Sequence, residues 1–166
     1  MAGNDDLIRN ASAHAAVFDR GRLARPPKRK LAVVTCMDAR INLFALLGLR
    51  EGDAHVIRNA GGVITDDEIR SLAISQRLMG TEEIMLIHHT DCGIEGFDGE
   101  RFRAEVEAET GVPVPWSIEA FDDLEADVLE SIRRVKSSPF IPHTDRVRGF
   151  VYEVETGVLR EIQPPA

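Results

Sequence analysis

Short apolar runs alternate with amphipathic stretches along this chain. Leu31-Ala32-Val33-Val34-Thr35 is apolar and β-branched with no polar alternation, which predicts a strand buried on both faces of a sheet. Ala54-His55-Val56-Ile57 and Glu83-Ile84-Met85-Leu86-Ile87 repeat that signature. Between them lie helical patterns. Ile41 to Leu47 reads as a helix closed by Gly48. Thr65-Asp66-Asp67-Glu68 is a capping box, opening a helix through Ile69, Leu72, Ala73, Gln76 and Leu78 that stops near Gly80. Upstream, Leu7, Ile8, Ala11, His14, Ala15 and Phe18 recur at helical spacing, so an N-terminal helix is expected over about 6–20. Arg20 to Lys30, with Pro26-Pro27, reads as a solvated basic connector.

The second half is less even. Residues 93–116 are rich in glycine and proline, with Phe102 and Val106 on a short helix. Ser117 is expected to cap a long amphipathic helix through Phe121, Leu124, Val128, Ile132 and Val135. Its acids come early and its bases late, as the helix dipole favours. Arg148 to Val154 reads as a strand, Glu155-Thr156-Gly157 as a turn, and Val158 to Ile162 as a short return strand. This order predicts an α/β fold over 1–166 as a single domain. A mainly parallel central β-sheet is flanked by helices, with a core over about 31–93 and a C-terminal helix and strands over about 117–162. In such sheets ligands bind outside the carboxyl ends of the strands.

Charge narrows the partners. Twenty basic against 28 acidic residues leave a net charge of −8, which argues against nucleic acid and against an anionic membrane. The acidic start, Asn4-Asp5-Asp6, lacks the pattern of a signal peptide, and no apolar run reaches the roughly 18 residues of a membrane span. The expected location is cytoplasmic, where thiols stay reduced.

The chemistry gathers at two clusters, each closing an apolar run. Cys36-Met37-Asp38-Ala39-Arg40 follows the first, and His88-His89-Thr90-Asp91-Cys92 follows the third. Two thiols and an imidazole at strand ends are candidate ligands for zinc, and three protein ligands would leave a fourth position open for water or substrate. His89 and Cys92 have the spacing to chelate one ion. His88 is offset by one residue, points elsewhere, and reads as a packing or hydrogen-bonding residue. Arg40 can hold Asp38 bidentately and keep it an ionised acceptor; if it lets go, the carboxylate can swing onto the metal.

In order, Cys36-x-Asp38-x-Arg40, Arg58-Asn59-Ala60-Gly61 and His89-x-x-Cys92-Gly93 resemble the motifs of the β-class carbonic anhydrases. The resemblance runs from about Leu31 to Gly93 and weakly through Arg148-Gly149-Phe150-Val151. It implies one zinc ion per chain at Cys36, His89 and Cys92, with Asp38 and Arg40 as the catalytic dyad. Asp38 becomes a fourth ligand only in a closed form. The resemblance also implies a homodimer or dimer of dimers, and reversible hydration of carbon dioxide to bicarbonate by attack of zinc-bound hydroxide. Gly61 and Gly62 offer backbone N–H groups to an anion, or simply form a tight loop needing positive φ; Arg58 binds bicarbonate, bridges subunits, or makes a structural ion pair. Two departures bear on substrate and rate. Pro26-Pro27-Lys28-Arg29-Lys30 lacks the glutamine many members carry before the first zinc strand, and His88-His89-Thr90 replaces Gly-His-Ser. Relatives with such a site hydrolyse carbonyl sulfide or carbon disulfide, which gives a second enzymatic reading. A permanently closed, purely structural zinc site is the non-enzymatic one.

Overall fold

The computed structural model describes residues 4–163. Five strands, β1 (Leu31–Cys36), β2 (Ala54–Asn59), β3 (Glu83–His89), β4 (Val147–Tyr152) and β5 (Leu159–Ile162), form one sheet in the order β2-β1-β3-β4-β5. All neighbours are parallel except β4 and β5, which run antiparallel after the turn at Gly157. Five helices accompany them: α1 (Asp5–Val17), α2 (Leu43–Leu47), α3 (Asp66–Met79), α4 (Gly99–Thr110) and α5 (Leu124–Ser137).

β1 is buried along its whole length, as an apolar run without alternation requires. Its alternate residues feed two cores. On one face Ala32, Val34, Leu86 and Val151 meet Leu72 of α3 and Val128, Ile132 and Val135 of α5. On the other, Leu31, Val33, Ile87 and Phe150 meet Ile41, Leu43, Val63 and Phe121. Each large apolar side chain so buried contributes about 1.5–3 kcal/mol. Gly149 lets α5 lie flat on β4, because an added Cβ would overlap Val128 and Ile132.

Thr65 and Glu68 form the expected capping box, and Gly80 ends α3 in the left-handed conformation. Asn42 caps α2, and Gly48 closes it. The expectation at Ser117 is corrected. α5 begins at Leu124, where the Asp123 carboxylate accepts from the N–H groups of both Glu125 and Ala126. Glu119 sits at φ 56°, which breaks any helix starting at Ser117, and Phe121 lies in a bridge to Glu95. α4 is a full 12 residues, capped by Asp98. α1 forms but buries none of its residues: Leu7, Ile8, Val17 and the following Phe18 stay exposed. No helix among the described residues is long and apolar enough to cross a membrane.

Candidate metal centre

From β1 the chain passes to β2 on one side and returns to β3 on the other. The crevice between the carboxyl ends of β1 and β3 is therefore the place where strand order reverses, the usual ligand site of such sheets. Cys36 ends β1, paired with Asn59. His89 ends β3, two residues beyond the Thr35–Ile87 pairing. Alternation puts His89 on the face of Ile87 and His88 on the face of Leu86. The turn at Thr90-Asp91 then brings Cys92 back toward Cys36. All three side chains are buried, and their ligand atoms lie within 4.8 Å of one another.

The donors are prepared for a cation. His89 Nδ1 lies 2.9 Å from the Thr90 carbonyl oxygen and donates to it, which leaves Nε2 as the lone-pair nitrogen. That Nε2 is buried and has no hydrogen-bond partner, a vacancy in polar pairing that costs about 1–3 kcal/mol. Both cysteines are free. The adjacent Cys92 side chain, helped by His89 and by the backbone at Asp38 and Gly61, holds the Cys36 thiol below its ordinary range despite burial. Donation to Cys36 and burial push Cys92 well above its own. The two adjacent buried sulfurs are thus pushed in opposite directions, and a cation between them would favour the thiolate form of both. Two thiolates and an imidazole nitrogen are the donor set of a tetrahedral zinc site with one position to spare.

Asp38 and Arg40 flank this triad. Arg40 Nε lies 3.0 and 3.2 Å from the two Asp38 carboxylate oxygens, and its second terminal nitrogen lies 2.7 Å from Oδ2. The Arg40 backbone N–H also donates to Oδ1, at 2.8 Å. These bonds hold the Asp38 carboxyl far below the usual carboxylate range. Asp38 Oδ2 is 3.8 Å from His89 Nε2, so the carboxylate stands beside the triad while bound to its arginine.

The other expected site residues are also present, differently employed. Arg58, next to Thr35 in the β1–β2 register, donates to the carbonyls of Cys36 (2.9 Å), Ile41 (3.3 Å) and Asp38 (2.7 Å). Its guanidinium staples the turn after Cys36. Gly61 and Gly62 have φ of 86° and 75°, and the Gly61 backbone is one of the groups that lower the Cys36 thiol. His88 lies on the far side of the sheet, its Nε2 3.5 Å from the Ser131 hydroxyl, while its Nδ1 stands 3.0 Å from Asp127 Oδ2 without hydrogen-bond geometry. Asp91 is the residue the sequence reading passed over. Its carboxylate lies 2.6 Å from Arg40 and its carbonyl oxygen 2.8 Å from the same guanidinium. Its only signal in the sequence was an acidic residue inside the chelating turn.

The carbonic anhydrase family model matches residues 31–111. β-Carbonic anhydrase 1 of Mycobacterium tuberculosis is 49% identical over 164 residues, covering 99% of this chain and 100% of that protein. The chain belongs to the β-carbonic anhydrases. Among solved structures, carbonic anhydrase from Streptococcus mutans superposes with a TM-score of 0.89 at 40% identity, covering 98% of this chain and 99% of that one. A carbon disulfide hydrolase of Saccharolobus solfataricus is further off, 36% identical and covering 82% of this chain and 78% of the hydrolase. In this β-carbonic anhydrase the three ordered motifs meet in space at the crevice between the carboxyl ends of β1 and β3.

Proposed function

We propose that this chain catalyses the reversible hydration of carbon dioxide at a zinc ion held by Cys36, His89 and Cys92. The observation that carries the reading is the buried, unpartnered His89 Nε2 facing two thiols. When bound, zinc supplies a Lewis acid that acidifies water and so provides a nucleophile near neutral pH. The chain's own residues do the rest. Asp38, ionised and acceptor-only, takes a hydrogen bond from the attacking water and fixes its orientation. Arg40 keeps that carboxylate ionised and turned away from the fourth ligand position. Because its folded pKa is depressed, Asp38 loses this role only when the pH falls well into the acid range. Arg58 holds the turn carrying Asp38, and Gly61 supports the Cys36 thiolate. A permanently closed structural site fits less well, since the one carboxylate able to close it is held by an arginine.

Hydrolysis of carbon disulfide or carbonyl sulfide is the second reading, and relatives named carbon disulfide hydrolase favour it. The higher identity to a carbonic anhydrase ranks it lower. Stopped-flow carbon dioxide hydration, run beside hydrogen sulfide release from both sulfur compounds, tests the two. Hydration should dominate by at least about 100-fold in kcat/KM, a gap of about 2.7 kcal/mol. Dominant hydrogen sulfide release would reverse the assignment.

The same reading includes a homodimer. A 13-residue helix with no buried residue is marginal in water, and α1 is such a helix. The sheet face opposite α3 and α5 is covered only by short elements, leaving Val56 of β2, Met85 of β3, Leu159 of β5 and Leu47 of α2 partly exposed. Parallel sheets are normally covered on both faces. Sedimentation should give a dimer or a multiple of it, and deletion of residues 1–18 should weaken association. A monomer at micromolar concentration would contradict the proposal.

A further inference from the structure

Asp91 stands in a conformation that side chains rarely adopt. Its φ is 55°, in the left-handed region, and it lies between the ligands His89 and Cys92. Glycine or asparagine is the usual occupant of such a position. The conformation has a consequence for Arg40. It turns both polar groups of one residue toward the same guanidinium, the carboxylate at 2.6 Å and the carbonyl oxygen at 2.8 Å. Arg40 is thereby held along two edges. Nε and Nη2 donate to Asp38, Nη1 donates to the Asp91 carboxylate, and Nη2 also donates to the Asp91 carbonyl oxygen. Half-exposed and otherwise free to rotate, the arginine side chain has much rotamer freedom to lose.

We propose that Asp91 is a positioning residue for the proposed reaction. It fixes Arg40 in the orientation that keeps Asp38 off the fourth ligand position, and so keeps that position open. The inference rests on the reading of Cys36, His89 and Cys92 as zinc ligands. The chelating turn then has two duties: its ends hold the metal, and its middle residue holds the group that competes for the blocking carboxylate. Because Asp91 is 79% exposed, its ion pair alone is screened by solvent. Its contribution comes from using carboxylate and carbonyl together, from a backbone already fixed by the ligands on either side.

Asp91→Gly removes the carboxylate and keeps both the carbonyl and the left-handed backbone. Asp91→Asn keeps an acceptor and tolerates the same φ. The test uses both variants and the wild type as full chains loaded with Co2+, titrated with thiocyanate and followed by visible absorption. Thiocyanate needs the open fourth position. Asp91→Gly should bind it about threefold to fivefold more weakly at pH 7.5, the range of a partly exposed charged pair. Asp91→Asn should recover most of the loss, with metal content and melting temperature unchanged in both. In carbon dioxide hydration the Gly variant should lose kcat/KM by a similar factor. Unchanged or tighter thiocyanate binding in Asp91→Gly, or an equal loss in Asp91→Asn, would overturn the inference. A wild-type chain that takes up no metal through Cys36, His89 and Cys92 would instead overturn the reading beneath it.

Discussion

Replacing His89 with alanine should strip the metal from the site and abolish carbon dioxide hydration. His89 supplies the only nitrogen of the triad, and its Nε2 has no other partner to satisfy it. Changing a group that only orients a metal ligand typically costs about 10–100-fold in affinity, so loss of a direct ligand should exceed about 100-fold. With no cation between them, the two buried sulfurs should resist ionising together. Zinc content measured on the dialysed protein should fall from one per chain to near zero. Activity should follow zinc content rather than folding, since circular dichroism should show the sheet intact. The same variant exposes the pH link. Ligands bind as thiolate and neutral imidazole, so zinc affinity in the wild type should fall as pH drops and protons compete for the same atoms.

Gly62→Ala should be the most damaging single methyl group near the site. At φ 75° any side chain is strained, by about 1–2 kcal/mol. The added Cβ would also lie 2.8 Å from the Cys36 nitrogen, 3.0 Å from the Thr35 carbonyl carbon and 3.2 Å from the Ile87 oxygen. Those are backbone atoms of β1 and β3, paired to each other and unable to rotate away. Overpacking of this kind adds about 1–3 kcal/mol, for a total near 3 kcal/mol and a fall of about 10 °C in Tm. Gly80→Ala is the matched control. Its φ is 69° but nothing lies within 4 Å of its Cβ, so it should lose only the backbone share. The difference between the two melting temperatures isolates the packing cost. Equal losses would show that the close approach at Cys36 is unimportant. Because the clash falls on Cys36 itself, Gly62→Ala should also weaken zinc binding, which Gly80→Ala should not.

Features carried by local chemistry were legible in the sequence. β1 shows itself by an apolar run without alternation, α3 by Thr65 and Glu68, and α2 by Gly48. The triad was legible because each half closes a strand and the fold class brings strand ends together. Ser117 misled because a serine before an amphipathic stretch is a sound cap signal; Asp123 caps better, with two N–H groups, and Glu119 bars the earlier start. The exposed face of α1 was invisible for a different reason, since helical spacing reveals an apolar face but not what covers it. Arg58 and Asp91 were hard to read because their partners are set by register. Arg58 reaches Asp38 across 20 residues, and Asp91 reaches Arg40 across 51, through strand pairings no local pattern encodes. Arg58 suggested an anion binder, a subunit bridge or an ion pair and Asp91 suggested no role, and the structure gives them three carbonyls and a guanidinium.

The proposed site is an open three-ligand metal centre with Asp38 held aside. X-ray absorption at the zinc edge on the wild-type protein near neutral pH tests it most directly. The spectrum should show two sulfur ligands at about 2.3 Å, one imidazole nitrogen at about 2.0–2.1 Å, and a light-atom fourth ligand that an added anion displaces. A coordination shell lacking either sulfur, or a fourth ligand that no anion displaces at any pH, would contradict it.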